Sequence, residues 1–255
     1  MENNITYTIQ DIKKETENVF TLTLSYDGNL PLFKAGQFIT VFFPETGHVE
    51  GKSYSISNII SPNSFTITIK SIGVFSNKLI SLKAGDKLSA SFPYGYFYTE
   101  SDSSSLVLIS GGIGIAPFKA MIQESLLKTP NRKIILFYSN KTQKDIIFKN
   151  EWGQLTEKYP ETFKVNHYIT QDYKNSNCVI PAQAGIQVLN TGFQIKFGMT
   201  TKDGRIPVAD IIEQSKNLSD PEFFLCGTIP FVRDYWRGLK EGGVPEISIY
   251  TEAFF

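Results

Sequence analysis

Apolar and polar residues alternate along most of the first hundred positions of the chain. Six segments between Thr6 and Phe92 show this alternation: TYTIQ, VFTLTLS, QFITVFF, SYSIS, FTITIKSI and KLSASF. A period of two is typical of strands that bury one face, and turn-forming residues such as Ala84-Gly85-Asp86 separate the segments. The pattern predicts a six-stranded antiparallel β-barrel within residues 1–100. It also predicts a short helix at Asn77–Leu82, capped by Ser76.

The hydrophobic period changes after the polar stretch Thr99–Ser105. Apolar runs predict strands at Leu106–Ser110, Lys133–Ser139, Phe163–Ile169, Phe223–Cys226 and Ile247–Tyr250. Helical periodicity predicts helices at Pro117–Lys128, Ile146–Tyr159, Pro207–Asn217 and Pro230–Leu239. This alternation predicts an α/β domain at residues 101–255, built on a doubly wound parallel sheet. Ligands of such a domain bind at the carboxyl ends of the strands.

One connection in the second half is longer than a compact fold needs. The chain between Ile169 and Arg205 greatly exceeds the usual length of a strand-to-helix connection. We therefore expect an insertion at about residues 172–200. Its segment GIQVLNTGFQIKF is compatible with a hairpin about Asn190-Thr191-Gly192, although a loop remains an equal alternative.

The stretch Leu106–Met121 reads LVLISGGIGIAPFKAM and contains the most informative turn of the chain. A buried strand leads into Gly111, Gly112 and Gly114, and Pro117 suits the first turn of the following helix. Glycines allow a ligand to approach the backbone closely, and a helix N-terminus offers N–H groups to an anion. The stretch therefore predicts a dinucleotide site, with a plain tight turn as the alternative.

Composition limits the class of protein. Lys and Arg together number 25, as do Asp and Glu, so there is no basic surplus that would indicate nucleic-acid binding. The N-terminal sequence does not resemble a secretory signal, and no apolar run has the roughly 18 residues of a membrane span. Only two cysteines are present, Cys178 and Cys226, which is too few for a four-thiolate iron–sulfur cluster. We expect a globular cytoplasmic protein.

Taken together, these motifs make the chain resemble the ferredoxin–NADP⁺ reductase family of flavoproteins. Lys52-Ser53-Tyr54-Ser55 is similar to the family's R-x-Y-S flavin motif, and Gly73–Ser76 is similar to its pyrophosphate loop. Further matches follow in the family's order: Phe92–Phe97 to P-x-G-x-F, Gly111–Pro117 to G-G-x-G-x-x-P, Cys226-Gly227 to C-G, and Glu252-Ala253-Phe254 to E-x-F. The family combines a flavin-binding barrel with a nicotinamide-binding α/β domain.

The resemblance implies a role for each matching residue. Tyr54 would pack on the flavin ring, the Ser55 hydroxyl would reach flavin N5, and Lys52 would neutralise the flavin phosphates. Catalytic roles at the transfer site are implied for Ser55, Cys226 and Glu252. Cofactor contacts are implied for Lys52, Ser53, Tyr54, Ser55, Lys70, Gly73, Val74, Phe75, Ser76, Gly111, Gly112, Gly114, Pro117, Cys226, Gly227 and Phe254.

Two departures from the family pattern affect cofactor binding. Lys52 replaces an arginine, so it keeps the charge but loses the bidentate guanidinium. The proline that often follows C-G is Thr228 here. The nicotinamide cofactor stays open: Ser139 and Lys141 would suit the 2′-phosphate of NADPH, but they are equally compatible with a solvated loop, and NADH is the alternative.

The sequence leads to a functional expectation with two alternatives. The first is an oxidoreductase that passes electrons from NAD(P)H through bound FAD to a separate acceptor, such as ferredoxin, flavodoxin or an oxygenase component. The second is a reductase of free flavin, which would retain flavin weakly. The third is a non-catalytic flavin- or dinucleotide-binding protein.

Overall fold

A computed structural model describes residues 4–171 and 199–254 of the chain. The first part forms a closed barrel of six antiparallel strands with the order β1-β2-β5-β4-β3-β6. These strands are β1 (Ile5–Lys14), β2 (Val19–Ser25), β3 (Phe38–Phe43), β4 (His48–Ser61), β5 (Ser64–Lys70) and β6 (Lys87–Ala90). The alternating apolar residues fill the barrel, so the predicted six-stranded antiparallel barrel is confirmed.

Helix α1 (Val74–Ser81) lies between β5 and β6 and begins earlier than the predicted Asn77–Leu82. Phe75 and Leu79, spaced by one helical turn, are buried in the barrel core. The prediction that Ser76 precedes and caps the helix is therefore wrong. Ser76 is the third helical residue, and its hydroxyl accepts the backbone N–H groups of Ile72 and Gly73.

The second part is a six-stranded parallel sheet with the order β10-β9-β8-β7-β11-β12. Its strands are β7 (Leu106–Gly111), β8 (Ile134–Asn140), β9 (Phe163–Ile169), β10 (Met199–Asp203), β11 (Glu222–Thr228) and β12 (Ile249–Phe254). Its helices are α2 (Ile115–Lys128), α3 (Lys149–Lys158), α4 (Val208–Ser215) and α5 (Ile229–Glu241). Helices α2 and α3 pack on one face and α4 and α5 on the other, which confirms the doubly wound sheet.

Two strands of the sheet differ from the prediction. Strand β10 was not predicted, because Met-Thr-Thr-Lys-Asp has no apolar run; it is an edge strand, held by parallel pairing with β9. The last strand begins at Ile249 rather than Ile247, because Glu246–Ser248 forms a short 3₁₀ turn.

The remaining expectations about chain organisation lie largely beyond the described residues. The possible hairpin about Asn190-Thr191-Gly192 falls outside them, as does Cys178. So does the expected insertion at 172–200, except for Met199 and Thr200, which open β10. The division into residues 1–100 and 101–255 stays a prediction.

The barrel and the sheet share a packed junction. Helix α2 lies against β4, and Val19 of the barrel joins the apolar cluster beneath α2 and α3. An ionic contact bridges the same junction: Glu151 of α3 lies 2.8 Å from Lys119 Nζ of α2 and 3.6 Å from Lys13 Nζ of β1. Within residues 4–171 and 199–254, none of the helices is long and apolar enough to cross a bilayer.

Candidate active site at the barrel–sheet junction

Three polar side chains lie in one row across the carboxyl end of the sheet. Cys226 of β11 is paired with Glu252 of β12 on one side and with Ser110 of β7 on the other. Paired residues of parallel strands project from the same face of a sheet. Glu252, Cys226 and Ser110 therefore project from one face, beside the turn that contains Gly111, Gly112 and Gly114.

The barrel contributes Ser55 to this row. Ser55 Oγ donates a hydrogen bond of 2.8 Å to Glu252 Oε1, although the two residues are 197 positions apart in the chain. Ser55 is buried, because the second domain covers the outer face of β4 at this point. The structure thus brings the three residues with implied catalytic roles, Ser55, Cys226 and Glu252, to a single place.

Burial changes the acidity of both ionisable groups at this place. Burial raises the pKa of Glu252 to about 7, and the hydrogen bond from Ser55 opposes only part of that rise. The pKa of the Cys226 thiol is also raised, first by burial and then by the carboxylate of Glu252. Cys226 is therefore a neutral thiol near pH 7, and Glu252 can gain or lose a proton there.

An aromatic surface lies on the same strand of the barrel. The ring of Tyr54 is stacked on that of Phe75 of α1, with centroids 6.4 Å apart, and Lys52 Nζ lies 5.8 Å from the centre of the Phe75 ring. Tyr54 is partly buried, and burial raises the pKa of its hydroxyl. Lys52 is exposed. The arrangement offers the partly exposed ring of Tyr54, backed by the buried ring of Phe75, with the exposed cation of Lys52 at its edge.

The start of α1 continues this surface. Gly73 has open space around its Cα, and Ile72 and Val74 on either side are 73% and 72% exposed. Ser76 turns its hydroxyl toward its own loop, and Lys70 ends β5 beside that loop. Aromatic, cationic and backbone N–H groups in this order suit a planar ring that carries a phosphate chain, so the residues present fit a flavin dinucleotide.

Ser53 lies on the outer face of the barrel, and its environment differs from that of Tyr54. Its Oγ is 3.0 Å from Thr40 Oγ1, which is 2.5 Å from the hydroxyl of Tyr94. These three side chains, with Phe42 and Glu50, help line a cavity of about 550 Å³. A cofactor contact of Ser53 stays a prediction.

The glycine turn is shaped by backbone packing as well as by any ligand. A Cβ at Gly114 would lie 2.2 Å from the carbonyl oxygen of Cys226, so the turn can lie against β11 only if residue 114 is glycine. Gly112 has a φ of 55° and open space around its Cα. The sequence predicts that all three glycines permit close approach of a ligand. The open space at Gly112 is compatible with that explanation, whereas Gly114 is required by packing against β11.

Gly111 and Gly227 both face the ring of Phe231, the third residue of α5. A Cβ at Gly111 would lie 3.0 Å from that ring, and a Cβ at Gly227 would lie 2.8 Å from it. The Phe231 ring also packs on Tyr235, with centroids 4.5 Å apart. These two glycines thus make room for an aromatic side chain of the protein itself.

The other predicted contacts lie around the same carboxyl edge. Ser139 is the register partner of Gly111 on β8, and Lys141 is exposed just beyond the end of that strand. Helix α2 begins at Ile115, so Pro117 is its third residue; Pro117 is also buried. Phe254 ends β12 and packs against the apolar cluster under α2 and α3. Their contacts with a cofactor stay predictions.

Sequence reasoning overlooked Tyr138, Ser110 and Phe231. Tyr138 is buried and its hydroxyl lies 3.1 Å from the carbonyl oxygen of Gly112; Ser110 Oγ is buried without a hydrogen-bond partner among the described residues. Tyr138 and Ser110 both lie in apolar runs, and such runs predict only buried strands. A hydroxyl directly before the first glycine, and a tyrosine in the neighbouring buried strand, were the available signals.

Across residues 4–171 and 199–254, no three His, Cys, Asp or Glu side chains come close enough together to hold an ion.

Comparisons with known proteins identify proteins that are similar to this chain. A family described as oxidoreductase NAD-binding domain matches residues 108–184. An NADH-cytochrome b5 reductase 2-A from Vanderwaltozyma polyspora is 29% identical, over 89% of this chain and 71% of its own length. The ferredoxin reductase component of a Rhodococcus rhodochrous 3-ketosteroid-9-alpha-monooxygenase is 25% identical, over 98% of this chain and 65% of its own.

A solved structure covers the whole fold. A ferredoxin NADP⁺ reductase from Neisseria gonorrhoeae with bound FAD and NADP superposes with a TM-score of 0.73 at 19% identity, over 100% of both chains. The chain spans between 56% and 71% of the length of the first curated relatives that it matches.

Proposed function

We propose that this chain is an FAD-dependent oxidoreductase of the ferredoxin–NADP⁺ reductase-like type, which takes electrons from NAD(P)H and passes them to a separate acceptor. When bound, FAD accepts a hydride and releases electrons singly, which the side chains of the protein cannot do.

The observation that carries the proposal is the hydrogen bond between Ser55 and Glu252. It joins a flavin-motif residue of the barrel to the last strand of the sheet, with Cys226 as the register neighbour of Glu252. Hydride transfer needs its two reacting atoms within about 3 to 3.5 Å, in fixed orientation. A junction that holds residues of both domains together supplies that fixed geometry.

The flavin side of the site would be formed by the barrel. Tyr54 would pack against the ring, and Phe75, which is 1% exposed, would support Tyr54 from behind and offer the cofactor its backbone N–H. Lys52, Lys70 and the N–H groups at the start of α1 would bind the phosphates. Ser53, Gly73, Val74 and Ser76 complete the proposed contacts. The exposed apolar side chains of Ile72 and Val74 border this surface, which supports a ligand that covers them.

The nicotinamide side would be formed by the sheet. Gly111, Gly112, Gly114 and Gly227 would border the nucleotide, with Pro117 behind them and Phe254 at the end of the last strand. Cys226 would contact the nicotinamide as a neutral thiol, since burial raises its pKa. Ser139 and Lys141 favour NADPH slightly, because Lys141 is an exposed cation just beyond the strand that carries Ser139 beside Gly111.

Glu252 would donate or accept the proton that accompanies electron transfer. With a pKa of about 7 and a hydrogen bond from Ser55 Oγ, its carboxyl group can supply or accept a proton at that hydroxyl near neutral pH. Ser55 would then orient the group that reacts next to it.

The acceptor would be a separate redox protein: a ferredoxin, a flavodoxin or an oxygenase component. The 255 residues contain two cysteines, too few for a four-thiolate cluster, so a cluster that receives the electrons would lie outside these residues. The reductase component from Rhodococcus rhodochrous supports an oxygenase system as one possibility.

The test is the visible absorbance spectrum of the purified protein, recorded before and after anaerobic NADPH and then NADH. We expect flavin bands that bleach with one nucleotide faster than with the other. A protein that takes up no flavin even from added FAD would contradict the proposal. Bleaching with rapid loss of flavin on gel filtration would support the free-flavin reductase instead.

A further inference from the structure

The hydroxyl of Tyr138 connects the glycine turn to the segment that precedes α3. It donates a hydrogen bond of 3.1 Å to the carbonyl oxygen of Gly112 and accepts one of 3.3 Å from the backbone N–H of Ile147. Tyr138 is 0% exposed. The hydroxyl therefore lies inside the domain, directly beneath the turn.

The far side of this connection is held firmly. The carbonyl oxygen of Ile147 accepts the indole N–H of Trp152 at 2.8 Å, and Trp152 is itself fully buried. The next residue, Phe148, has a φ of 59° and carries Lys119 Nζ at 4.1 Å from its ring centre. Because the surrounding contacts fix this segment, the Tyr138 hydroxyl has a fixed position.

The hydrogen bond from Tyr138 also sets the direction of the N–H group in the peptide that it contacts. In a planar trans peptide the C=O and N–H point in opposite directions. The carbonyl of Gly112 points inward to Tyr138, so the N–H of Ile113, in the same peptide, points away from that hydroxyl. Gly112 has a φ of 55° and open space beside it, and its carbonyl oxygen also accepts the backbone N–H of Ile115 within the short 3₁₀ turn. Tyr138 adds a side-chain hydrogen bond to the same oxygen, from outside the turn.

We propose that Tyr138 is a positioning residue that holds the Gly112–Ile113 peptide with its N–H toward the crevice, ready for the anionic pyrophosphate of NAD(P)H. This rests on the proposed function of the same site. Backbone N–H groups preset toward an anion bind it without paying for reorganisation at the moment of binding.

The test is the variant Tyr138→Phe, which removes one oxygen and keeps the ring. We expect KM for NADPH and NADH to rise about three- to tenfold with kcat nearly unchanged, as for the loss of one hydrogen bond that orders a loop. The rate with 1-benzyl-1,4-dihydronicotinamide, which has no phosphate, should not change. The dissociation constant of ADP-ribose, measured by calorimetry, should rise by the same factor as KM.

The matched control is Tyr7→Phe. Tyr7 is equally buried, and its hydroxyl also donates to a backbone carbonyl at 3.1 Å, but in the barrel, at Ser91. It should leave the dissociation constant of ADP-ribose unchanged. If Tyr138→Phe does not fold, Gly112→Ala replaces it: the added Cβ meets open space, but a φ of 55° disfavours alanine, so the same selective loss is expected.

Three results would overturn the positioning role: unchanged binding of ADP-ribose in Tyr138→Phe, an equal loss with the phosphate-free donor, or unchanged ADP-ribose binding in Gly112→Ala. Failure of the proposed function is distinguishable. A wild-type protein that binds ADP-ribose but transfers no hydride would contradict the enzyme, and the calorimetric comparison would still decide the role of Tyr138.

Discussion

At the scale of single residues, the proposed site contains a carboxyl group, that of Glu252, whose pKa is raised to about 7. Glu252 lies in an edge strand that has no fully buried residue, yet its carboxylate faces Ser55 at the junction. Burial there favours the protonated form. The charge state of this one side chain therefore depends on the contact between the two domains.

Glu252→Gln should remove a pH dependence of stability. A carboxyl whose folded pKa is raised stabilises the fold fully below its unfolded pKa of about 4.3, and this stabilisation is lost as the pH rises through about 7. From pH 5 to pH 8 the wild type should thus lose about 1 to 2 kcal/mol of unfolding free energy relative to the variant. The value is this small because Glu252 is only half-buried and solvent screens part of the effect.

Urea unfolding of both proteins at several pH values measures this difference. His167 acts in the opposite direction. Burial lowers its pKa to about 4, so the unfolding free energy decreases as the pH falls below the ordinary histidine pKa of about 6.5. Its contribution is common to both proteins and cancels. A difference that stays constant from pH 5 to pH 8 would show that Glu252 is ionised throughout.

Tyr54→Ala should weaken flavin binding about tenfold or more, because the aromatic face beside Phe75 is lost. Fluorescence titration of the flavin-free protein with FAD measures the dissociation constant. The control is Tyr96→Ala, since Tyr96 is 90% exposed and lies in the loop after β6. Equal flavin affinity in the Tyr54 and Tyr96 variants would contradict a stacking role for Tyr54.

At the scale of elements, the turn between β7 and α2 shows that similar residues can be required for different reasons. Gly114 permits the turn to lie against the backbone of β11, Gly111 makes room for Phe231, and Gly112 supplies a left-handed conformation. Only Gly112 borders open space. The turn is thus a packed structural unit that exposes a short stretch of backbone.

Gly114→Ala should destabilise the fold by about 2 to 3 kcal/mol, because the new Cβ would lie 2.2 Å from a backbone oxygen that cannot move alone. Gly73→Ala is the control: the Cα has open space and φ is −172°, which any residue adopts. Thermal and urea unfolding should show a change within about 0.5 kcal/mol for Gly73→Ala. Equal stability of the two variants would refute the packing explanation.

At the scale of the whole molecule, the proposed hydride transfer requires a fixed orientation of barrel and sheet. Besides Ser55 and Glu252, the contact of Lys13, Glu151 and Lys119 bridges the junction. The Lys119 side chain is only 8% exposed, so its charge depends on Glu151 for compensation. The junction is therefore electrostatically specific as well as apolar.

Glu151→Gln should cost about 2 kcal/mol of unfolding free energy, since it leaves a buried ammonium group without its carboxylate. Glu213→Gln breaks the exposed pair with Lys216 and should cost no more than about 0.5 kcal/mol. Urea unfolding compares the two. If Glu151→Gln were as stable as Glu213→Gln, the bridge would contribute nothing to the junction.

The sequence by itself determined the two-part architecture and the local form of the motifs. Alternation at period two specified the barrel strands, and the glycines after an apolar run specified the turn before α2, because these features depend on neighbours along the chain. Strand β10 was missed for the same reason: its residues are polar, and only pairing with β9 makes them a strand.

Tertiary structure alone decided which side chains meet. The contact of Ser55 with Glu252, the raised pKa of that carboxyl, and the packing of Gly114 on Cys226 join residues far apart in the chain. Tyr138 is the clearest case. In the sequence it is one apolar position of a buried strand, and only the folded chain places its hydroxyl under Gly112, because strand order and register, not spacing, set that distance.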